Sequence, residues 1–140
     1  MRYLLDTNTC IAILADGKGA LTQGGQAAVT ADLAVSAITV WELECGCALA
    51  EQTAKNRARL DAFLVEIRVL PFSTEEAQRC GELFAGLERA GLRLQTSDCL
   101  IAGHALTAKL TLVTQDRDFF RVPGLTVVDW LPGGYRRRKK

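Results

Sequence analysis

One histidine, His104, is all the imidazole this chain possesses, and it falls inside an apolar helical pattern. It reads as a structural or partly exposed side chain, so a histidine general base is not expected. The five cysteines, Cys10, Cys45, Cys47, Cys80 and Cys99, are odd in number and fit no disulfide framework. Cys45 and Cys47 lie only two apart, with no second histidine to join them, which argues against a zinc site. Buried free thiols acting as small hydrophobes are the better reading. Aromatic residues make up 6% of the chain and offer no obvious stacking platform for nucleobases. No stretch approaches the ~20 apolar residues of a membrane span. Asp6 interrupts the N-terminus too early for a signal peptide. The expectation is a cytoplasmic protein with no membrane partner.

What remains is an ordinary globular composition. The 140 residues are 49% hydrophobic, enough for one domain with a core of its own. The net charge of +1 conceals an asymmetry, because Arg136, Arg137, Arg138, Lys139 and Lys140 close the chain on an unbroken cationic run. The body before them is therefore net acidic. Pro132, Gly133 and Gly134 break any regular structure ahead of the run. Residues 133–140 are expected to form a mobile basic tail, either holding nucleic acid through phosphate contacts or only solubilising the end.

The apolar run Tyr3-Leu4-Leu5 stops abruptly at Asp6-Thr7-Asn8. A short apolar run bounded by turn formers reads as a buried strand. Thr7 or Asn8 would cap the helix that Ile11, Ala12 and Leu14 announce. Asp6 would stand at the strand's carboxyl end, where open α/β sheets bind their ligands; the plainer alternative is a helix cap. The glycine-rich stretch from Asp16 to Thr30 predicts a loop with a short helix. Leu33-Ala34-Val35-Ser36 reads as a second strand, with Ser36 capping the next helix. Ile38, Trp41, Cys45, Ala48 and Leu49 share that helix's expected buried face, Glu42 lies beside it, and Glu44 faces solvent.

Leu60, Phe63, Leu64 and Ile67 mark an amphipathic helix over 53–67, followed by a short strand that Pro71 ends. Ser73 and Glu76 form a capping box. The helix they open carries Cys80, Leu83, Phe84 and Leu87 and stops at Gly91. Thr96-Ser97-Asp98 opens another helix through Leu100, Ile101, Ala105 and Ala108, and Asp98 there also suits the helix dipole. Leu110 to Thr114 is a strong β run ending in Gln115-Asp116-Arg117-Asp118, a layout like that of the N-terminus. Thr126-Val127-Val128 supplies a last strand. Strands separated by helices imply parallel pairing through right-handed crossovers. The expected class is α/β, with a small parallel sheet of about five strands and helices on both faces.

In such a sheet Asp6, Glu42, Asp98 and Asp116 tend to collect at one edge. Carboxylates crowded together repel, and a hard divalent cation relieves them. Oxygen-only donors favour Mg²⁺ or Mn²⁺. That chemistry suits phosphodiester hydrolysis by metal-activated water, with Thr7, Asn8, Ser97, Thr114 and Gln115 holding ligands, water or phosphate around it.

Four stretches carry a family resemblance. They are Leu4-Leu5-Asp6-Thr7-Asn8, the run from Ser36 to Leu43, Asp98-Cys99-Leu100-Ile101-Ala102, and the run from Leu112 to Phe119. In order and spacing they resemble the successive motifs of PIN-domain proteins, most closely the VapC-type ribonuclease toxins of bacterial type II toxin–antitoxin systems. Pro123-Gly124-Leu125 and Trp130 are also similar. The resemblance implies a PIN-like nuclease domain over 1–132 and an Mg²⁺- or Mn²⁺-dependent endoribonuclease. Asp6, Glu42, Asp98 and Asp116 match the catalytic acids, with Asp6, Asp98 and Asp116 as metal ligands. Thr7, Asn8, Thr114 and Asp118 support them, and Asp118 shares or replaces the role of Asp116. The resemblance further implies an RNA substrate, a homodimer, and a cognate antitoxin laid across the helices near Trp41–Leu49 and Leu60–Ile67. On intramolecular grounds alone, those apolar stripes are simply core.

Two other readings compete. A phosphoryl-transfer domain with Asp6 as nucleophile needs an acid two residues on, and position 8 is Asn. A non-catalytic RNA- or protein-binding module of the same fold would not need all four acids, which this chain retains.

Overall fold

The computed structural model describes residues 2–16 and 32–130. The glycine-rich segment after Asp16 and the basic tail, 133–140, lie outside the described residues. Five strands, β1 (Tyr3–Leu5), β2 (Leu33–Ser36), β3 (Arg68–Leu70), β4 (Thr111–Val113) and β5 (Val127–Val128), form one sheet in the order β3-β2-β1-β4-β5. Every pairing is parallel. The helices among the described residues are α1 (Thr7–Asp16), α2 (Ala37–Leu49), α3 (Thr53–Glu66), α4 (Thr74–Arg89) and α5 (Thr96–Ala108). A 3₁₀ turn spans Arg117–Arg121.

The strands' two-residue period divides the core between the faces of the sheet. Leu5, Leu33, Val35 and Val113 point to one side, against Cys10 and Ile13 of α1, Leu43 and Cys47 of α2, and Leu60 of α3. Leu4, Ala34 and Leu112 point to the other, against Ile101, Ala102 and Ala105 of α5 and Phe119 of the 3₁₀ turn. α4 lies outside α5. There Gly103 is necessary, because a Cβ on it would fall 2.2 Å from Cys80 Sγ. All five cysteines are free, and four are buried.

Most boundaries follow local chemistry. Ser36 Oγ accepts from the Ile38 N–H at 3.0 Å and caps α2. The Ser73/Glu76 capping box is complete at the start of α4. α4 ends with Gly91 at φ +72°, where the Leu92 N–H reaches back to the Leu87 carbonyl at 2.9 Å. That left-handed stop favours glycine.

Two expectations are corrected. The cap of α1 is neither Thr7 nor Asn8 but Asp6, whose Oδ1 accepts from the Thr9 N–H at 2.8 Å. α2 buries Thr39, Leu43 and Cys47. Trp41 is 62% exposed and Leu49 87% exposed, so the face expected inside is largely outside. α2 is apolar nearly all round, so tertiary packing chose a stripe that hydrophobicity alone does not mark. Glu44 is half-exposed yet paired, its carboxylate gripped by Arg57 at 2.5 and 3.0 Å.

Candidate active site

Ser36, Asp6 and Thr114 lie level with one another at the carboxyl edge, each one residue past a registered trio, Val35, Leu5 and Val113. The Asp6 N–H bonds to the Val113 carbonyl at 3.0 Å, and the Thr114 N–H to the Val128 carbonyl at 2.9 Å. Register therefore brings the ends of β1 and β4 together, although they are far apart in the chain.

Asp6 is only 3% exposed. Its Oδ1 caps α1, and its Oδ2 accepts a short hydrogen bond from Thr114 Oγ1. Thr9 is buried behind it, and the Thr9 hydroxyl donates to the Val113 carbonyl at 3.1 Å. Burial pushes the Asp6 carboxyl above its usual range, hydrogen bonds from Thr114 and Thr9 offset part of that push, and Asp116 adds to it. Asp6 is thus both a helix cap and a buried acid beside a second acid.

Asp116 follows from Thr114. Its N–H donates to Thr114 Oγ1 at 2.9 Å, and its Oδ1 accepts from the Asp118 N–H at 2.9 Å, capping the 3₁₀ turn. Asp118 is half-buried and lies 3.4 Å from Arg121. Thr7 Oγ1 donates to Glu42 Oε1 at 2.5 Å and lies 3.2 Å from the buried Thr39 hydroxyl. Thr7 thereby ties the first turn of α1 to the second turn of α2.

Asp98 reaches the same edge through topology. α5 runs back to the start of β4, so its N-terminus lies at the carboxyl side of the sheet. His104 pins the helix there, with Nδ1 2.8 Å from Ser36 Oγ. Asp98 precedes His104 by six residues, about 9 Å of helix rise, and is half-buried in the first turn. His104 itself is buried edge-on to Phe72. Burial holds its pKa below the usual imidazole value, opposed by Glu76, in line with the structural role expected of it. Asn8, Ser97 and Gln115 are half-buried at the starts of α1 and α5 and after β4.

The structure therefore links Asp6, Thr114, Asp116 and Asp118 by hydrogen bonds, joins Glu42 through Thr7, and sets the N-terminus of α5, with Asp98, on the carboxyl side of the sheet. Among the described residues, no three carboxylate, imidazole or thiol side chains are gathered closely enough to enclose a metal ion by themselves. Sequence reasoning missed Thr9 and Thr39. Both are buried hydroxyls, and only the position of Thr9, three residues after an acid that ends a strand, gave a signal.

Beside the site, α1, α2 and α3 enclose a groove of about 330 Å³. Its walls are apolar, with Ile11, Leu14, Leu43 and Leu60, but Glu42 and Arg59 also line it. No helix among the described residues is long and apolar enough to cross a membrane.

A five-stranded parallel sheet with a buried acid at the carboxyl end of β1 defines a small α/β domain. The PIN domain model matches residues 3–125. Ribonuclease VapC2 of Rickettsia felis is 34% identical over 132 residues, covering 93% of this chain and 98% of the relative. A tRNA(fMet)-specific endonuclease VapC of Salmonella typhimurium is 32% identical over 131 residues, with coverages of 93% and 98%. The DNA-bound VapBC structure from Salmonella typhimurium superposes with a TM-score of 0.87 at 32% identity, over 93% of this chain and 98% of that one. VapBC-5 of Mycobacterium tuberculosis, described as a member of a family of toxin–antitoxin systems, gives 0.68 at 25% identity, with coverages of 91% and 96%. The chain belongs to the PIN-domain family, in its VapC-type branch.

Proposed function

We propose that this chain is a metal-dependent endoribonuclease and the toxin of a toxin–antitoxin pair, acting in the cytoplasm. The observation that carries the proposal is Asp6: a buried carboxyl held by Thr9 and Thr114, with Asp116 one hydrogen-bonded step away. A buried acid beside another acid is costly unless a cation accompanies it. The donors are all oxygen, which fits Mg²⁺ or Mn²⁺. Mg²⁺ is commonly held by one or two carboxylates with water completing its shell, so a closed protein cage is not required. Asp6 would hold it, with Asp98, Asp116 and Glu42 reaching it directly or through water. Such an ion, when bound, lowers the pKa of water and offsets charge on phosphate oxygens.

The protein's own part is orientation. Thr114 fixes the Oδ2 edge of Asp6, and the α1 cap fixes the Oδ1 edge. Thr7 aims Glu42, and Asp118 braces Asp116 through its N–H. Asn8 stands in the first turn of α1, beside these groups.

The VapBC relatives support a protein partner. An antitoxin segment would occupy the groove between α1, α2 and α3, presenting apolar side chains to Leu43 and Leu60 and a cation toward Glu42. Trp41 and Leu49, exposed on α2, would extend that contact. A homodimer would bring two acidic edges to a shared substrate.

The test is cleavage of a labelled structured RNA pool with Mn²⁺ or Mg²⁺, with EDTA, and with Asp98→Asn. Metal-dependent cuts that disappear in the variant support the proposal. RNA binding without cuts, by folded protein free of antitoxin, would replace it with a non-catalytic binding module.

A further inference from the structure

Phe119 and Phe120 are adjacent in the 3₁₀ turn but face opposite ways. Phe119 is 1% exposed and packs with Leu4 and Leu112. Phe120 is 55% exposed. The turn that carries it is braced on three sides. Phe119 anchors it in the core, Asp116 caps it, and Arg121 reaches the Arg93 carbonyl at 3.0 Å and Asp118 at 3.4 Å. A ring held on such a turn is presented with little conformational freedom left to lose.

A lone exposed aromatic is ordinary. This one is distinguished by its neighbours. Arg117 and Arg121 are both exposed. On a helix of three residues per turn, positions three apart eclipse, so Arg117 and Phe120 share a side. Phe120 also follows Asp116 by four residues, about 8 Å at the 3₁₀ rise. A protein-docking patch would need apolar neighbours, whereas the ring's neighbours in the turn are charged. A guanidinium on the same side as an exposed ring is a combination that single-stranded nucleic acid uses, with the cation for a phosphate and the ring for a base.

We infer that Phe120 is a stacking platform for a base of single-stranded RNA flanking the bond held at Asp6, with Arg117, on the same side of the turn, contacting an adjacent phosphate. This rests on the ribonuclease reading and adds to it a residue that positions substrate. Stacking on the ring accepts any base, so the turn grips the strand without dictating its sequence.

The test is fluorescence anisotropy of a labelled single-stranded RNA oligonucleotide in EDTA, where no turnover interferes. Losing an aromatic that stacks on a base weakens single-strand binding by about fivefold to a hundredfold. Phe120→Ala should fall in that range, and Phe120→Trp should bind at least as well as wild type. An oligonucleotide stripped of its bases should bind wild type and Phe120→Ala alike. Sedimentation should show the same oligomeric state for both proteins. Equal RNA affinity of wild type and Phe120→Ala overturns the inference. So does a loss that persists without bases, or one that accompanies a change in self-association. If wild type neither binds nor cuts RNA, the ribonuclease reading falls and this inference falls with it. If wild type cuts RNA and Phe120→Ala binds it equally well, only the platform falls.

Discussion

Thr114 donates its hydroxyl to Asp6 Oδ2 while accepting the Asp116 N–H at 2.9 Å, so one side chain holds two acids that lie on different strand ends. Thr114 is fully buried. The bond to Asp6 is buried, and the bond from the Asp116 N–H is partly so.

Thr114→Val keeps the shape and removes both bonds. A buried polar group left without its partner costs about 1–3 kcal/mol. Denaturant unfolding should show a loss in that range, accompanied by reduced RNA cleavage. Thr114→Ser should recover most of both. A Val variant with wild-type stability and cleavage would show that the hydroxyl does not organise the acids.

Asp6→Asn should separate stability from activity. Burial raises the folded pKa of Asp6. A carboxyl raised in this way favours the folded state fully below its unfolded pKa, and that advantage is lost as pH rises through the folded value. Above the unfolded value, burial of this carboxyl opposes folding in metal-free protein. The Asn variant should therefore melt at or above the wild-type temperature near pH 7, with the difference shrinking on acidification. Its cleavage should fall by more than the roughly 10–100-fold that loss of a group supporting a metal ligand costs. Mn²⁺ should raise the melting temperature of wild type and not of the variant.

His104 supplies a pH effect of opposite sign. Its folded pKa is depressed from 6.5 by burial. The stability it contributes is present above the unfolded value and is lost as pH falls through the folded one. Glu76, the titratable group that opposes this shift, is itself held low by the Ser73 backbone N–H and hydroxyl, so it adds acid sensitivity at lower pH. Thermal melts from pH 7 to 5.5 should fall more steeply for wild type than for His104→Gln. Parallel curves would mean that the ring charges without penalty.

Gly103→Ala tests the packing of α4 on α5. The new methyl would meet Cys80 Sγ at 2.2 Å and Cys80 Cα at 3.2 Å. Overpacking of this kind costs about 1–3 kcal/mol. Adding Cys80→Ala should return part of it, because the sulfur leaves while the backbone approach remains. Strict additivity of the two changes in unfolding experiments would contradict the close contact.

These particulars show what the sequence makes legible. Asp6 was readable because it directly follows a β run and Asp116 because it lies three residues past the end of one, and the boundary between apolar and polar residues is local. The capping box at Ser73 and the stop at Gly91 were readable for the same reason. The burial of α2 was not, since Trp41 and Leu49 are as apolar as Leu43 and only the neighbouring helices decide among them. Nor was the Asp6–Thr114 bond, which depends on β4 pairing beside β1. The cap at Asp6 was obscured by two good capping residues immediately after it. Phe120 was invisible because two adjacent phenylalanines do not reveal which one the core will take.

The pairing of β1 with β4 also bears on synthesis. Asp6 and Thr114 stand 108 positions apart. At translation rates of about 5–20 residues per second, roughly 5–20 s pass between making one and making the other. Throughout that interval β1 lacks its neighbour β4, and the Oδ2 edge of the carboxylate at its end lacks Thr114, although Thr9 can already cap the Oδ1 edge. A growing chain therefore leaves its acidic edge unassembled until nearly all of the fold has been translated.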